Sequence, residues 1–330
     1  MNSFFGAVSR DGAGSFDRMR SAAEKLYSST VSVLAGADGQ MPCGFISDDG
    51  AVLGRAQQGA DYLVSLGFLQ QPLPGWDGAS PVDDPDATAA YLLSRYREHG
   101  MEFLEGVYGQ YALALYDSAG ARLILAGDPG GFRRLFYRYR DGNLVYGTSL
   151  AALSDGADLS IDRSMEDFLL GFEFLPWNRT LYDGVSSLAA GTLLEFTPEG
   201  MTTHKTPSPA TSAGRPASDD EEAVISALED EFMETVEQLC PSDKRVAVLL
   251  GGFDSALIVS ALVRLGKEVE TFTFRYADER FNQAYTDTLS GLLGTRHTWV
   301  DIGPEELGRY IPDYALLFNQ PVGQMHYVLH

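Results

Sequence analysis

Through the first 205 residues, apolar and polar positions alternate in short runs closed by Gly, Asp and Asn, a pattern of period two that predicts antiparallel strands. Tyr108–Tyr116 and Ala121–Leu125 flank the turn Asp117-Ser118-Ala119-Gly120. Leu135–Arg140 and Asn143–Tyr146 flank Asp141-Gly142, a dipeptide that tolerates the positive φ of a tight hairpin. One helix is expected among these strands, Asp86–His99, with Ala90, Leu92, Leu93 and Tyr96 near helical spacing, acidic residues at its start and Gly100 as C-cap. This half is predicted to be an α+β domain with antiparallel sheets, residues 1–205.

Thr206–Ser218, rich in Pro, Ser, Thr, Ala and Gly, separates it from the remainder of the chain and is expected to be a linker. Over 219–330 the pattern changes. Ser218-x-x-Glu221 predicts a capping box opening a helix whose Val224, Leu228, Phe232, Val236 and Leu239 share one face. Val246–Leu250 is a continuous apolar run of the kind buried on both sides in a parallel sheet. A helix over Ser255–Leu265, a strand over Glu268–Phe274, a helix over Asn282–Leu293 and a strand over His297–Ile302 complete a β-α-β-α-β order, which predicts a doubly wound parallel sheet. Three strands are few for such a sheet, so this part is expected to be incomplete: a fragment, or one finished by a second polypeptide.

Composition narrows the function. The 330 residues, 45% apolar, suffice for two cores; 24 Lys+Arg against 46 Asp+Glu give a formal charge of −22, a field that repels nucleic acid and anionic membrane. Cys43 and Cys240 share no CxxC or His spacing, so neither a disulfide scaffold nor a zinc site is indicated. With neither a leader pattern at Met1 nor an apolar stretch of membrane-spanning length, the chain is expected to be cytoplasmic.

Ligands of parallel α/β sheets sit beyond the carboxyl ends of the strands, and the first such end is Gly251-Gly252-Phe253-Asp254-Ser255. Paired glycines let a ligand approach the backbone, and the helix after them aims its amides at the same spot. A Walker A loop would need a Lys after the glycines, which is absent. That favours helix amides gripping a pyrophosphate, Asp254 holding Mg²⁺ and attack at the α-phosphorus. The bland alternative is a plain strand-to-helix turn, with Asp254 a cap for the helix. His326 and His330 are four apart, but without a carboxylate between them they make a poor metal motif. Phe132–Arg140 carries Arg133, Arg134, Arg138 and Arg140 among aromatics, a pattern that in isolation suggests a nucleic-acid patch. Trp76 and Trp177 fall in loops and say little.

Val246–Ala256 resembles the pyrophosphate loop of ATP-pyrophosphatases, written S-G-G-x-D-S after an apolar strand. Thr271-Phe272-Thr273-Phe274, Phe281-Asn282-Gln283-Ala284-Tyr285 and Gly294-Thr295-x-His297 come after it in the order found in asparagine synthetases. In the first domain, Gly106-x-x-Gly109-x-Tyr111-Ala112-x-Ala114-x-Tyr116-Asp117 and Asp128-Pro129-x-Gly131-x-Arg133-x-Leu135-Phe136-Tyr137 are similar to segments of class II glutamine amidotransferases, as are Thr180–Val185 and Leu188-x-x-Gly191. The chain thus resembles the asparagine synthetase superfamily over nearly its whole length. The resemblance implies an Ntn-hydrolase-like first domain and an adenine nucleotide alpha hydrolase-like second one. It further implies ATP and Mg²⁺ as cofactors, a carboxylic acid and a nitrogen donor as substrates, and an ATP and pyrophosphate site at Gly251, Gly252, Asp254, Ser255, Phe272 and Thr273. His297 is expected to position the third strand, and the arginine-rich segment to be a strand pair near the domain interface.

Departures from the family are as informative. Its glutaminase uses a Cys directly after the initiator Met; here that position is Asn2, which cannot be a nucleophile. Neither Cys43 nor Cys240 has the free α-amine the mechanism needs, and the family's "NGE" handle is absent, though Arg55 and Asp86 correspond to its Arg and Asp contacts. The resemblance therefore implies a degenerate glutaminase site at Asn2, Arg55 and Asp86, as in the β-lactam synthetase and lasso-peptide cyclase branches. Leu250 replaces the Ser that opens S-G-G-x-D-S, and Gln324 replaces an Asp that helps hold Mg²⁺. The catalytic residues of the synthetase fall beyond the chain and are unknown. The expected function is an amide-forming ligase working through an acyl-adenylate. The rival is a degenerate, non-catalytic subunit that binds nucleotide or a partner, with a second copy or a completing polypeptide as the expected associate.

Overall fold

A computed structural model describes residues 2–8, 14–27, 29–36, 41–46, 52–70, 73–77, 84–153, 159–176, 178–206, 220–240, 245–276, 283–305 and 308–309. The chain divides into two compact units, Met1–Ala213 and Gly214–Pro312, each described by itself. Most of the expected linker, together with Trp177, Ser218, Phe281, Asn282, Gln324, His326 and His330, lies outside the described residues.

The first unit runs β1 (Ser3–Val8), α1 (Gly14–Tyr27), β2 (Ser32–Leu34), β3 (Cys43–Ile46), β4 (Leu53–Gln58), β5 (Asp61–Gln70), α2 (Pro85–His99), β6 (Tyr108–Asp117), β7 (Arg122–Gly127), β8 (Phe136–Arg140), β9 (Asn143–Gly147), α3 (Leu150–Leu153), α4 (Arg163–Phe172), β10 (Ser186–Ser187), β11 (Thr192–Thr197) and β12 (Gly200–Lys205). Two six-stranded antiparallel sheets result, in the orders β10-β8-β9-β1-β3-β2 and β12-β11-β7-β6-β5-β4. Strand alternation distributes their side chains between three cores. Phe4, Phe45, Tyr62, Val64, Ala114, Tyr116 and Tyr146 fill the space between the sheets. The alternate residues Leu63, Tyr111, Leu113 and Leu115 turn outward to Leu92, Leu93 and Tyr96 of α2. Phe5 and Val145 turn outward from the other sheet to Phe16, Met19 and Ala23 of α1 and to α3. The layers are therefore helix, sheet, sheet, helix, the α+β antiparallel class expected.

The expected hairpins form. Asp141 and Gly142 take φ of 53° and 78°, the left-handed pair a two-residue turn requires. Gly100 caps α2 with φ 58°, and its N–H reaches the Tyr96 carbonyl. The expectation of one helix is corrected by α1, α3 and α4. Helix α1 seats Phe16, Met19 and Ala23 in the core at i, i+3 and i+7, a helical spacing that the sequence does carry, whereas none of the residues of α4 is buried.

The second unit comprises α5 (Glu221–Leu239), β13 (Val246–Leu249), α6 (Phe253–Arg264), β14 (Val269–Tyr276), α7 (Gln283–Leu293) and β15 (Arg296–Ile302). The strands form one parallel sheet, β13-β14-β15, the incomplete α/β unit expected. Its core holds Leu250, Val259, Leu262 and Val269, with Val246, Val248, Leu289 and Leu293 packed against it. Thr271 stands opposite His297 and Thr273 opposite Trp299, whose Nε1–H donates to Asp287 of α7, and Leu289 and Leu293 of α7 share one core with Val259 and Leu262 of α6, so the two helices lie on one face. Three details differ from expectation. Helix α5 is capped by Asp220, whose carboxylate accepts from Glu222 N and Ala223 N, in place of the expected Ser218. Of its apolar row only Val236 is buried, while Leu228 is 63% exposed. Strand β13 is half-buried on the helix-facing side and exposed on the other, where Leu249 projects with no helix against it among the described residues.

Candidate active site

Two places carry the expected site residues. The first comes directly after β13. Leu250, which stands where the family has Ser, is buried in the core, and its N–H donates to the Phe272 carbonyl (2.7 Å). Thr273, also buried, donates its hydroxyl to the Leu250 carbonyl. Thr273 thus fixes the strand end, and its side chain is turned to the protein. The chain then passes through Gly251 and Gly252 into α6, with Gly252 at the N-cap in an extended conformation (φ −157°).

Among the described residues, chain neighbours apart, no atom lies within 4 Å of a Cβ placed on Gly251 or Gly252, and neither has positive φ. Neither packing nor backbone strain therefore demands glycine here; the bare backbone leaves a cradle that Cβ atoms would fill, as a close-fitting phosphate requires. Asp254 is the second residue of α6, not its N-cap, which corrects the alternative that it caps the helix. Its carboxylate is exposed and has no partner among the described residues. Such a group can hold a divalent cation together with phosphate and water oxygens. No cluster of three or more metal-ligating side chains occurs among the described residues.

Ser255 has a role the sequence did not disclose. Its Oγ accepts from the amides of both Gly251 and Gly252 (3.1 Å each) and donates to the Gly252 carbonyl (2.9 Å). The loop is thereby closed on its own serine, leaving the first amides of α6, at Phe253 and Asp254, as the ones directed outward. Only a side-chain rotamer decides this, and no spacing encodes it. His297 receives or donates a 2.9 Å bond between Nδ1 and Thr271 Oγ1, and burial lowers its pKa, partly offset by the Asp287 charge. A neutral imidazole tying β15 to β14 fits its positioning role.

The second place lies in the first unit. Arg55 N donates to Asp86 Oδ1 (2.9 Å), and its guanidinium stands 3.6 Å from Asp86 Oδ2. The same guanidinium lies over the Phe45 ring (5.2 Å to the centroid), and Phe45 is the register partner of Phe4, two residues from Asn2. Arg55 and Asp86 are thus brought together beside Phe45, and Asn2 immediately precedes β1. Cys43 is remote from such chemistry: fully buried in β3, its thiol is pushed up to about 12 chiefly by burial, against bonds from Tyr146 and Phe5 that lower it. A neutral, inaccessible thiol is no nucleophile.

The described residues thus comprise a helix-flanked pair of antiparallel sheets and a parallel β-α unit with an open glycine loop. Residues 86–206 match the glutamine amidotransferase domain family, and residues 227–329 the asparagine synthase family. Over 240 residues the chain is 25% identical to asparagine synthetase 1 (glutamine-hydrolyzing) of Bacillus subtilis, covering 72% of this chain and 38% of that protein. Over 269 residues it is 27% identical to a Mycobacterium bovis protein named for the same activity, covering 77% and 40%. The solved structure of the allosteric regulatory enzyme of purine biosynthesis superposes with a TM-score of 0.40 at 14% identity, over 98% of this chain and 79% of that one, a score too low to build on. The chain carries a glutamine amidotransferase domain and part of an asparagine synthase domain, and is distantly similar to asparagine synthetases. It spans about two fifths of the length of the curated relatives it matches. No helix among the described residues is long and apolar enough to cross a membrane.

Proposed function

We propose that this chain serves an ATP-dependent amide-forming ligase, in which a substrate carboxylate attacks the α-phosphorus of ATP, releasing pyrophosphate and leaving an acyl-adenylate. A nitrogen nucleophile, from ammonia, glutamine or an amine on the substrate, then displaces AMP. The asparagine synthase domain implies ATP use. The carrying observation is the glycine loop with open space over both Cα atoms and an unpartnered carboxylate two residues on. In this reading the outward amides of α6 hold the pyrophosphate portion, and Ser255 Oγ yields the Gly251 and Gly252 amides to phosphate oxygens when nucleotide enters. Asp254 orients the triphosphate through Mg²⁺, which when bound would neutralise charge developing on the departing pyrophosphate. The fit for Mg²⁺ rests on that one free carboxylate. The first unit, with Asn2 in place of the terminal nucleophile, acts as a scaffold that no longer hydrolyses glutamine.

One observation supports a second reading. The loop closed on Ser255 is also what a subunit would have that binds a nucleotide or partner without reacting. ATP–pyrophosphate exchange distinguishes the two. Labelled pyrophosphate should enter ATP in the presence of a cognate carboxylic acid, and Asp254→Asn should reduce the rate at least about a hundredfold. ATP binding without exchange would leave the non-catalytic reading, and no ATP binding would sink both. Glutamate release from glutamine should stay at background.

A further inference from the structure

Beneath the turn that joins β7 to β8 lies a cavity of about 310 Å³, lined by Gly127, Asp128, Gly131, Arg133 and Arg134 and by the 187–190 segment. Its charged lining consists of two arginines and one aspartate, a net charge of +1 in a chain whose formal charge is −22. Arg55, Arg97, Arg122 and Arg179 of the same unit each lie against a carboxylate. Arg133 and Arg134 have none among the described residues, although acids outnumber bases 46 to 24.

The aspartate does not neutralise them. Asp128 is fully buried, and its carboxylate oxygens accept from Phe132 N (3.1 Å) and Arg133 N (2.9 Å). Its carbonyl accepts from Gly131 N and Gly191 N (3.1 Å each), so the turn is held rigid from both ends. Meanwhile Arg133 Nε is buried with no hydrogen-bond partner, a costly state for a charged donor. Two more buried groups beside this turn lack partners. Tyr111 Oη has its pKa raised by burial and by the Asp128 charge, and Thr206 Oγ1 lies 3.5 Å from where Gly191 would carry a Cβ. A preorganised turn, a lined cavity and an unpaired guanidinium donor together make up a built receptor for negative charge.

We propose that this cavity binds a small dianionic oxyanion, its oxygens taken by the Arg133 and Arg134 guanidinium groups. Phosphate monoesters and dicarboxylates share that chemistry. Arg133 supplies the buried donor, and Arg134, exposed at the mouth, closes over the anion. The site is independent of the glycine loop and stands whether or not the ligase reading does.

The test uses the full chain, with inorganic phosphate and succinate as probes at ionic strength matched with potassium chloride. Phosphate, succinate or both at about 10 mM should raise the melting temperature by about two to four degrees, and whichever acts identifies the group recognised. Arg134→Gln, at an exposed position that leaves the fold intact, should weaken the response at least tenfold in apparent dissociation constant. Arg133→Lys, which keeps the charge but lacks the buried fork, should weaken it too. A response to neither probe, or one that Arg134→Gln leaves unchanged, overturns the proposal. So does a fall of several degrees in the melting temperature of ligand-free Arg134→Gln, since that would mean an acid of the chain itself already pairs with this arginine.

Discussion

Glycines in the two units answer to different masters. In the sandwich, a Cβ on Gly67 would fall 1.9 Å from the Gln110 carbonyl oxygen at φ +120°, and one on Gly54 would fall 2.0 Å from the Pro85 carbonyl oxygen. Those positions are glycine because backbone from a neighbouring element occupies the space a side chain needs. At Gly251 and Gly252 the space is open among the described residues and neither has positive φ, so neither crowding nor strain accounts for glycine, and the proposed function assigns the demand to a bound phosphate. Crowding explains Gly54 and Gly67, whereas open space alone marks no ligand, since Gly171 in α4 and Gly291 in α7 are as uncrowded; what sets Gly251 and Gly252 apart is their place between the end of a parallel strand and the start of a helix.

The largest effect expected from this contrast is on stability. Gly67→Ala should cost more than about 3 kcal/mol, because a non-Gly residue at that φ also meets backbone that cannot move, and chemical denaturation would register it. Thiol labelling at pH 8 comes next. Cys240, only partly buried, should react with iodoacetamide at least about a hundredfold faster than Cys43, whose thiol is pushed up to about 12. Comparable rates would mean that the sandwich opens far more readily than its packing implies. Gly252→Ala should leave the melting temperature within about a degree, yet weaken ATP binding at least tenfold, about 1.4 kcal/mol. If it destabilised the chain instead, the contrast between the two kinds of glycine would fail.

The smallest effect concerns Asp61. Burial tends to raise its pKa, but bonds from Ser118 and the Arg97 guanidinium outweigh it and hold the carboxyl below the usual range. A depressed folded-state pKa adds stability that is complete above the unfolded value of about 3.9 and lost as pH falls through the folded one. Asp61→Asn should therefore lower the melting temperature by on the order of a degree or two at pH 7 and make no difference in strong acid.

Much of this was legible in the residues. Asp141-Gly142 announced its hairpin because only a few dipeptides accept two left-handed conformations in succession. The β-α-β-α-β order was readable because buried strands and amphipathic helices have different periods. Burial was not readable where periodicity was satisfied without a neighbour, as in α5, whose apolar row is spaced for packing while Leu228 stands exposed. At the glycine loop the residue types could be named in advance. Their state could not, because the Ser255 hydroxyl chooses between ligand and loop by rotation about one bond. Arg55 and Asp86 lie on different elements, and only the family likeness paired them before the 2.9 Å bond did.

Strand β1 sits between β3 and β9, and Ser3 meets the hydroxyl of Thr148, 145 positions along the chain. During synthesis at about 5–20 residues per second, β1 waits roughly seven to thirty seconds for its second neighbour. Until β9 arrives, one edge of β1 stays unpaired, and Phe4 and Phe5 on its two faces lack part of their packing. Nascent chains of this protein should therefore lean on ribosome-associated chaperones in the interval between the emergence of β1 and that of β9.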